Sequence, residues 1–156
     1  MAFTTTIYFD MDGTFVDLYG VNGWMNYLNN YDATPYRIAK PLGNMQRFAR
    51  GLHRLQKRGY RIGIISWLSK TSNAQFDIEV TKAKERWLRK HLPSVQWDEI
   101  HIVPYGNAKQ MYTNPALGHN VLVDDEMANL VSWNAVNRQT YIGLDGKQAM
   151  NIPFLL

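Results

Sequence analysis

Apolar and polar positions along the chain alternate between two periods. Residues 5–10, TTIYFD, interleave β-branched and aromatic side chains and predict a strand. Residues 44–58 set Met45, Phe48, Leu52 and Leu55 at helical spacing, with Gly59 as the stop. YRIGIIS, residues 60–66, is a continuous apolar run of the kind carried by a strand buried on both faces. A second helix is predicted from about Asn73 to His91, presenting Val80, Ala83, Trp87 and Leu88 and closed by Pro93. Strands follow over 98–104 and 120–125, then a helix over 126–136 and a fifth strand over 139–144. Strands alternating with helices predict an α/β fold, a three-layer Rossmann-like arrangement around a mostly parallel sheet.

One segment breaks the alternation. Residues 17–43 are rich in Tyr, Asn and Gly and too long for a tight strand-to-helix loop, with room for one short helix near 22–30. Long irregular insertions in compact domains are often lids or binding loops. The expectation is a single domain over 1–156 with a minimal cap at about 17–43. In open parallel sheets, ligands sit beyond the carboxyl ends of the strands. Here strand one ends at Asp10, strand two at Ser66 and strand four at Asp124 and Asp125, so three strands deliver hydroxyl or carboxylate groups to one edge.

Composition narrows the classes. At 156 residues, 46% apolar and 19% charged, the chain has the make-up of one ordinary soluble domain. No apolar run approaches the roughly 18 residues of a membrane span, so no membrane partner is expected. The first residues lack the basic segment and apolar core of a signal peptide, and there is no cysteine for a disulfide or thiolate site. Cytoplasmic residence is the resulting expectation. The net charge of +4 suits a polyanionic partner or substrate, or equally a plain solubility charge. The basic clusters at 54–61 and 85–91 lie on predicted helices, and neither is a long basic block. His53, His91, His101 and His119 are scattered and read as structural.

The chemistry starts at IYFDMDGTFVD, residues 7–17. Aspartates at i and i+2 on a strand face the same way and repel. A divalent cation relieves that repulsion, and Mg²⁺ favours one or two carboxylates together with water and phosphate oxygens. A carboxylate can also attack phosphorus, splitting a hard hydrolysis into two easier steps, while a second one shuttles the proton. Asp12-Gly13 alone is a hairpin signal. A hairpin explains neither Asp10 nor the long stretch before the next strand.

The opening resembles the signature of the haloacid dehalogenase-like phosphohydrolases, an apolar strand ending in Asp-x-Asp-Gly-Thr, here Asp10-Met11-Asp12-Gly13-Thr14. The resemblance implies that Asp10 is nucleophile and metal ligand. It implies that Asp12 is the general acid/base with its backbone carbonyl on the metal, and that Thr14 lies at the substrate. The family's second motif, a Ser or Thr closing the next core strand, falls on Ser66, whose hydroxyl would hold a phosphoryl oxygen, with Trp67 beside it as a candidate substrate contact. Its third motif, a lysine, falls on Lys109 in VPYGNAKQMY, to neutralise nucleophile and phosphoryl group. Its fourth, an acidic pair after an apolar strand, falls on Asp124 and Asp125. Asp125 would bind the metal directly, and Asp124 would act on a metal-bound water or orient Lys109. The implied cofactor is Mg²⁺. Singly, a strand-end serine, a surface lysine and acidic residues at a helix start all have structural readings. Four motifs in order across nearly the whole chain make the signal.

Substrate is read from the cap. Between Ser66 and Lys109 there is room for one helix and one strand, so an insertion there is not expected. A cap as small as 17–43 leaves the site open to polymer ends, or to closure by a second copy of the chain as a homo-oligomer. The chain resembles two subgroups. Small deoxyribonucleotidases share the closing Asp-Asp but carry a larger helical cap. Polynucleotide 3′-phosphatase domains share the minimal cap, but often have Ser-Gly-Arg where this chain has Ser66-Trp67-Leu68. Trp24, Tyr27, Tyr31 and Tyr36 either stack on a base or pack the insert onto the core. Arg37 and Lys40 either meet a second phosphate or are surface charge. The resulting expectation is a Mg²⁺-dependent phosphatase acting on small phosphorylated substrates, nucleotides foremost, with 3′ or 5′ nucleic-acid ends as the alternative. A phosphotransferase would use the same intermediate. A non-catalytic phosphate-binding module of the same fold is the rival, and it predicts damage to the motif residues, all of which are intact.

Overall fold

Strand β1 (Thr4–Phe9) lies at the centre of a five-stranded sheet ordered β5-β4-β1-β6-β7, in which every pairing is parallel. The partners are β4 (Arg61–Trp67), β5 (Glu99–Val103), β6 (Gly118–Asp124) and β7 (Gln139–Gly143). This computed structural model describes residues 4–114, 118–134 and 139–156. The sheet is the α/β architecture expected from the alternation of elements.

Period-two alternation sends successive β1 side chains to opposite faces. Ile7 and Phe9 pack with Phe48, Leu52, Ile62, Ile64 and Val123 on one side, whereas Tyr8 packs with Ile65, Leu122 and Trp133 on the other. The first face is covered by α3 (Met45–Lys57), α4 (Ala74–His91) and α6 (Gly146–Leu155), and the second by α5 (Ala128–Asn134). Asn44 and Asn73 cap α3 and α4, accepting from Arg47 N at 3.0 Å and Phe76 N at 2.8 Å. The helix predicted over 126–136 starts later, as α5 from Ala128, with Glu126 and Met127 in the turn before it, and residues 135–136 lie outside the described residues.

Helix α6 does not emerge from the sequence reading, because Pro153 interrupts its pattern. It is held on α3 by polar contacts: Arg47 donates to Asn151 Oδ1 and Arg54 to the Pro153 carbonyl, both at 2.8 Å. The insert also departs from expectation. It holds two short helices rather than one, α1 (Trp24–Asn29) and α2 (Thr34–Ile38), closed at its base by an antiparallel pair, β2 (Val16–Asp17) with β3 (Lys40–Pro41). Five residues are too few to show a helical period, and Pro35 in the first turn marks a start that only the structure reveals. Leu18, Leu28, Ala33 and Tyr36 pack the insert onto Phe76, Val80 and Ala83 of α4. The cap is therefore anchored by its own apolar cluster.

Candidate active site

Sheet register assembles the site. Phe9 pairs with Val123 on one side and Ile64 on the other, and the Asp10 N–H continues the ladder to the Val123 carbonyl at 2.9 Å. Asp10 and Asp124 thus emerge side by side where β1 and β6 end. The chain runs from β1 outward to β4 and β5, then returns to β6, so this edge is also the switch point where open sheets form crevices.

The turn after β1 is tight. The Met11 carbonyl accepts from the N–H groups of Thr14, Phe15 and Val16 at 3.0–3.1 Å, and the Gly13 N–H donates to Val16 O at 2.8 Å. Gly13 has φ +80, which favours glycine, and a Cβ added there would overlap the Asp125 carboxylate. One glycine therefore permits both the turn and the approach of Asp125.

Asp10, Asp124 and Asp125 each offer a carboxylate oxygen, and the three oxygens lie within 4.8 Å of one another. Lys109, at the start of a 3₁₀ turn (Lys109–Tyr112), donates to Asp10 Oδ1 at 2.9 Å and Asp124 Oδ2 at 2.6 Å. Asp124 accepts further bonds from Asn129 Nδ2 at 2.7 Å and the Glu126 N–H at 2.9 Å. Thr14 Oγ1 stands 3.2 Å from both Asp10 Oδ2 and Asp125 Oδ1. Burial, then the Asp10 charge, pushes the Asp125 carboxyl up to about 8, and the same causes push Asp124 up to about 6 despite Lys109. Burial works against the Lys109 charge, but Asp10 and Asp124 outweigh it and its pKa is raised. Three crowded carboxylates against one ammonium form a hard-oxygen set with surplus negative charge, which fits Mg²⁺.

Asp12 turns elsewhere. Its Oδ2 is bound at 2.7 Å by Lys84 of α4, a buried lysine that the sequence reading does not single out. Burial raises the Asp12 carboxyl, and Lys84 opposes that shift. The Asp12 side chain is accordingly outside the carboxylate cluster that could hold a metal. Lys84 also binds Ser66 Oγ at 2.6 Å and the Trp67 carbonyl at 2.8 Å. A signal for it did exist: Lys84 falls four residues after Val80 and four before Leu88, inside the apolar stripe of its helix.

Asp10, Asp12 and Lys109 line a cleft of about 740 Å³, with Asp124 and Asp125 behind them in the carboxylate cluster. Its walls carry two aromatic pairs: Trp67 and Tyr105 with ring centroids 5.1 Å apart, and Tyr19 and Trp24 at 5.0 Å. The Trp67 indole is fixed by its Nε1–H donating to Asn107 O at 2.8 Å. Of the residues expected at the site, Asp10, Asp12, Lys109, Asp124 and Asp125 come together and Trp67 lines the cleft. Thr14 and Ser66, expected on the substrate, are instead fully buried and absent from the lining. Thr14 braces two carboxylates, and the Ser66 oxygen is engaged by Lys84. Arg37 and Lys40 do not line the cleft, whereas Lys70 does. Tyr31 stacks edge-on against Phe76 and packs the insert, whereas Tyr36, buried over Lys84 in the insert's apolar cluster, also lines the cleft.

No family model matches the sequence, and no curated protein matches it. Among solved structures the chain is similar to D,D-heptose 1,7-bisphosphate phosphatase from Burkholderia thailandensis, with 15% identity over 97% of this chain and 99% of that one and a TM-score of 0.53. The likeness concerns the fold, a central parallel sheet flanked by helices. No helix among the described residues is long and apolar enough to cross a membrane.

Proposed function

We propose that this chain is a Mg²⁺-dependent phosphomonoesterase that passes the phosphoryl group through Asp10, with nucleotides as its substrates. The observation that carries the reading is the convergence of Asp124, Asp125 and Lys109 on Asp10, with Asp10, Lys109 and Asp12 lining one cleft. Asp10 would attack phosphorus while the ester P–O bond breaks and Asp12 gives its proton to the departing oxygen. Water would then attack the aspartyl-phosphate, losing a proton to Asp12, which frees inorganic phosphate and restores Asp10. Lys109 holds Asp10 Oδ1 and balances charge on the phosphoryl oxygens. Asp10, Asp125 and the Asp12 carbonyl would hold Mg²⁺, which when bound supplies Lewis-acid neutralisation of those oxygens. Asp124, already bonded to Lys109, Asn129 and the Glu126 N–H, suits the orienting role.

The structurally similar protein is a phosphatase, which agrees with phosphoester chemistry. Its sugar substrate is a property of that protein, and the reading for this chain comes from its own cleft walls. Trp67, Tyr105, Tyr19 and Trp24 suit a nucleobase, for which aromatic stacking contributes roughly 1–3 kcal/mol. The volume is within the roughly 300–1,000 Å³ typical of small-molecule sites.

The test is phosphate release from a panel of phosphomonoesters, with and without Mg²⁺, for wild type and Asp10→Asn. Nucleoside monophosphates should be turned over best, with the variant reduced on the order of 10³-fold or more. Equal rates in both proteins would remove Asp10 as nucleophile. A preference for oligonucleotide ends, with affinity falling steeply as salt rises, would move the substrate to nucleic acid.

A further inference from the structure

Lys84 is the group that the proposed reaction leaves unused. Its side chain is 1% exposed and it is not among the residues lining the cleft, so it touches no substrate there. Burying an ammonium is costly unless it is paired and hydrogen-bonded. Here all three N–H donors are engaged, by Asp12 Oδ2, Ser66 Oγ and the Trp67 carbonyl, and the Tyr36 ring lies 5.0 Å from Nζ. One side chain on α4 thereby ties together the turn after β1, the end of β4 and the insert.

Donor chemistry gives these contacts direction. A lysine ammonium can only donate. Asp12 Oδ2 is therefore occupied as an acceptor, which leaves Oδ1 for a proton travelling toward the cleft. Ser66 Oγ must accept, so the hydroxyl's own proton is turned away from Lys84. A leucine or methionine would fill the volume without doing either.

We propose that Lys84 is a positioning residue, which fixes Asp12 so that one carboxyl oxygen serves the leaving group. The proposal rests on the phosphomonoesterase reading above, with Asp12 as the proton donor. Its consequence is selective. An alkyl phosphate needs its leaving alkoxide protonated, whereas p-nitrophenolate departs with little help. Lys84→Met should lower the first-turnover rate on an alkyl phosphate on the order of 10- to 100-fold, below the ~10²–10⁴-fold of a general acid itself. On p-nitrophenyl phosphate the first-turnover burst of p-nitrophenolate, which precedes the hydrolysis in which Asp12 acts again, should slow by less than about threefold. In an Asp12→Asn background, Lys84→Met should add almost nothing, because the two act as one unit.

The experiment measures first-turnover rates together with kcat and KM on both substrates for wild type, Asp10→Asn, Asp12→Asn, Lys84→Met and the double variant. If Lys84→Met does not fold, Lys84→Gln, which keeps a donor, takes its place and should show the same selectivity in weaker form. Equal first-turnover losses on the two substrates, or full additivity with Asp12→Asn, would overturn the positioning role while leaving the phosphatase intact. A wild type without turnover, or an Asp10→Asn as active as wild type, would instead overturn the underlying reaction, and the role of Lys84 with it.

Discussion

Lys84 and Lys109 are almost equally hidden, with side chains 1% and 2% exposed, yet their surroundings differ in kind. Lys84 meets one carboxylate, one hydroxyl and one carbonyl, which saturate its donors and balance its charge. Lys109 meets two carboxylates with a third nearby and also lines the cleft. The first corner is electrically closed. The second is under-compensated and opens to a ligand. Burial therefore does not tell the two lysines apart; the count of facing charges and the access to the cleft do.

The largest break in this comparison is expected from Lys109→Met. Removing one partner of a buried ion pair typically costs about 3–5 kcal/mol, because the remaining charge is left uncompensated. Here two carboxylates, Asp10 and Asp124, lose their partner together. Thermal melts in EDTA should show a fall larger than that of Lys84→Met, which strands only Asp12. In the phosphatase assay Lys109→Met should lose activity on alkyl and p-nitrophenyl esters alike, without the leaving-group selectivity assigned to Lys84. Selective loss at Lys109 would erase the distinction between the two corners.

Gly13 offers a smaller, more local break. An alanine there is disfavoured at φ +80, and its Cβ overlaps the Asp125 carboxylate. Gly59 has φ +92 with nothing within 4 Å, so Gly59→Ala isolates the backbone cost, roughly 1–2 kcal/mol for a left-handed residue. Gly13→Ala should lose that much stability and also weaken Mg²⁺ binding about tenfold or more, by moving Asp125. Titration calorimetry on both variants separates the two effects. Unchanged Mg²⁺ affinity in Gly13→Ala would remove Asp125 from the metal site.

The same contrast explains what the sequence could reveal. The Lys109 corner is built at strand ends, where Asp10, Asp124 and Asp125 close apolar runs that are themselves readable, and a short motif carries the turn between Asp10 and Thr14. The central sheet was legible for a similar reason, since a continuous run such as 60–66 needs burial on both faces. Lys84 depends on Asp12, far from it along the chain, and on a helix whose other lysines, such as Lys82 and Lys90, are exposed. Only its place in an apolar stripe set it apart. Thr14 and Ser66 were found by motif, but their inward orientation follows from tertiary neighbours that no local pattern encodes. Helices α2 and α6 were hidden by brevity and by Pro153.

The pH dependence of the metal-free protein reads both corners, since the Lys109 corner contributes two raised carboxyls, Asp124 and Asp125, and the Lys84 corner one, Asp12. Folding lifts Asp125 to about 8 and Asp124 to about 6, both above their ordinary value of 3.8. The folded state then holds protons that the unfolded chain has already released. Their contribution to stability is complete at low pH and is lost as pH rises through 6 and 8. Glu99 and Asp32 are shifted the other way, so their contributions are in place before this window opens. In EDTA the melting temperature should fall between pH 6 and 8.5, by roughly 2–4 °C for each kcal/mol lost in a chain of this size. Mg²⁺ competes with those protons, so its stabilising shift should be larger at pH 8.5 than at pH 6. Asp125→Asn should flatten the EDTA curve and shrink the Mg²⁺ shift, whereas Lys84→Met, which removes the charge opposing the raised Asp12 carboxyl, should lower the curve and steepen it. A metal-free melting temperature that rises over this range would mean that the three carboxylates do not share the crowding on which the cation site depends.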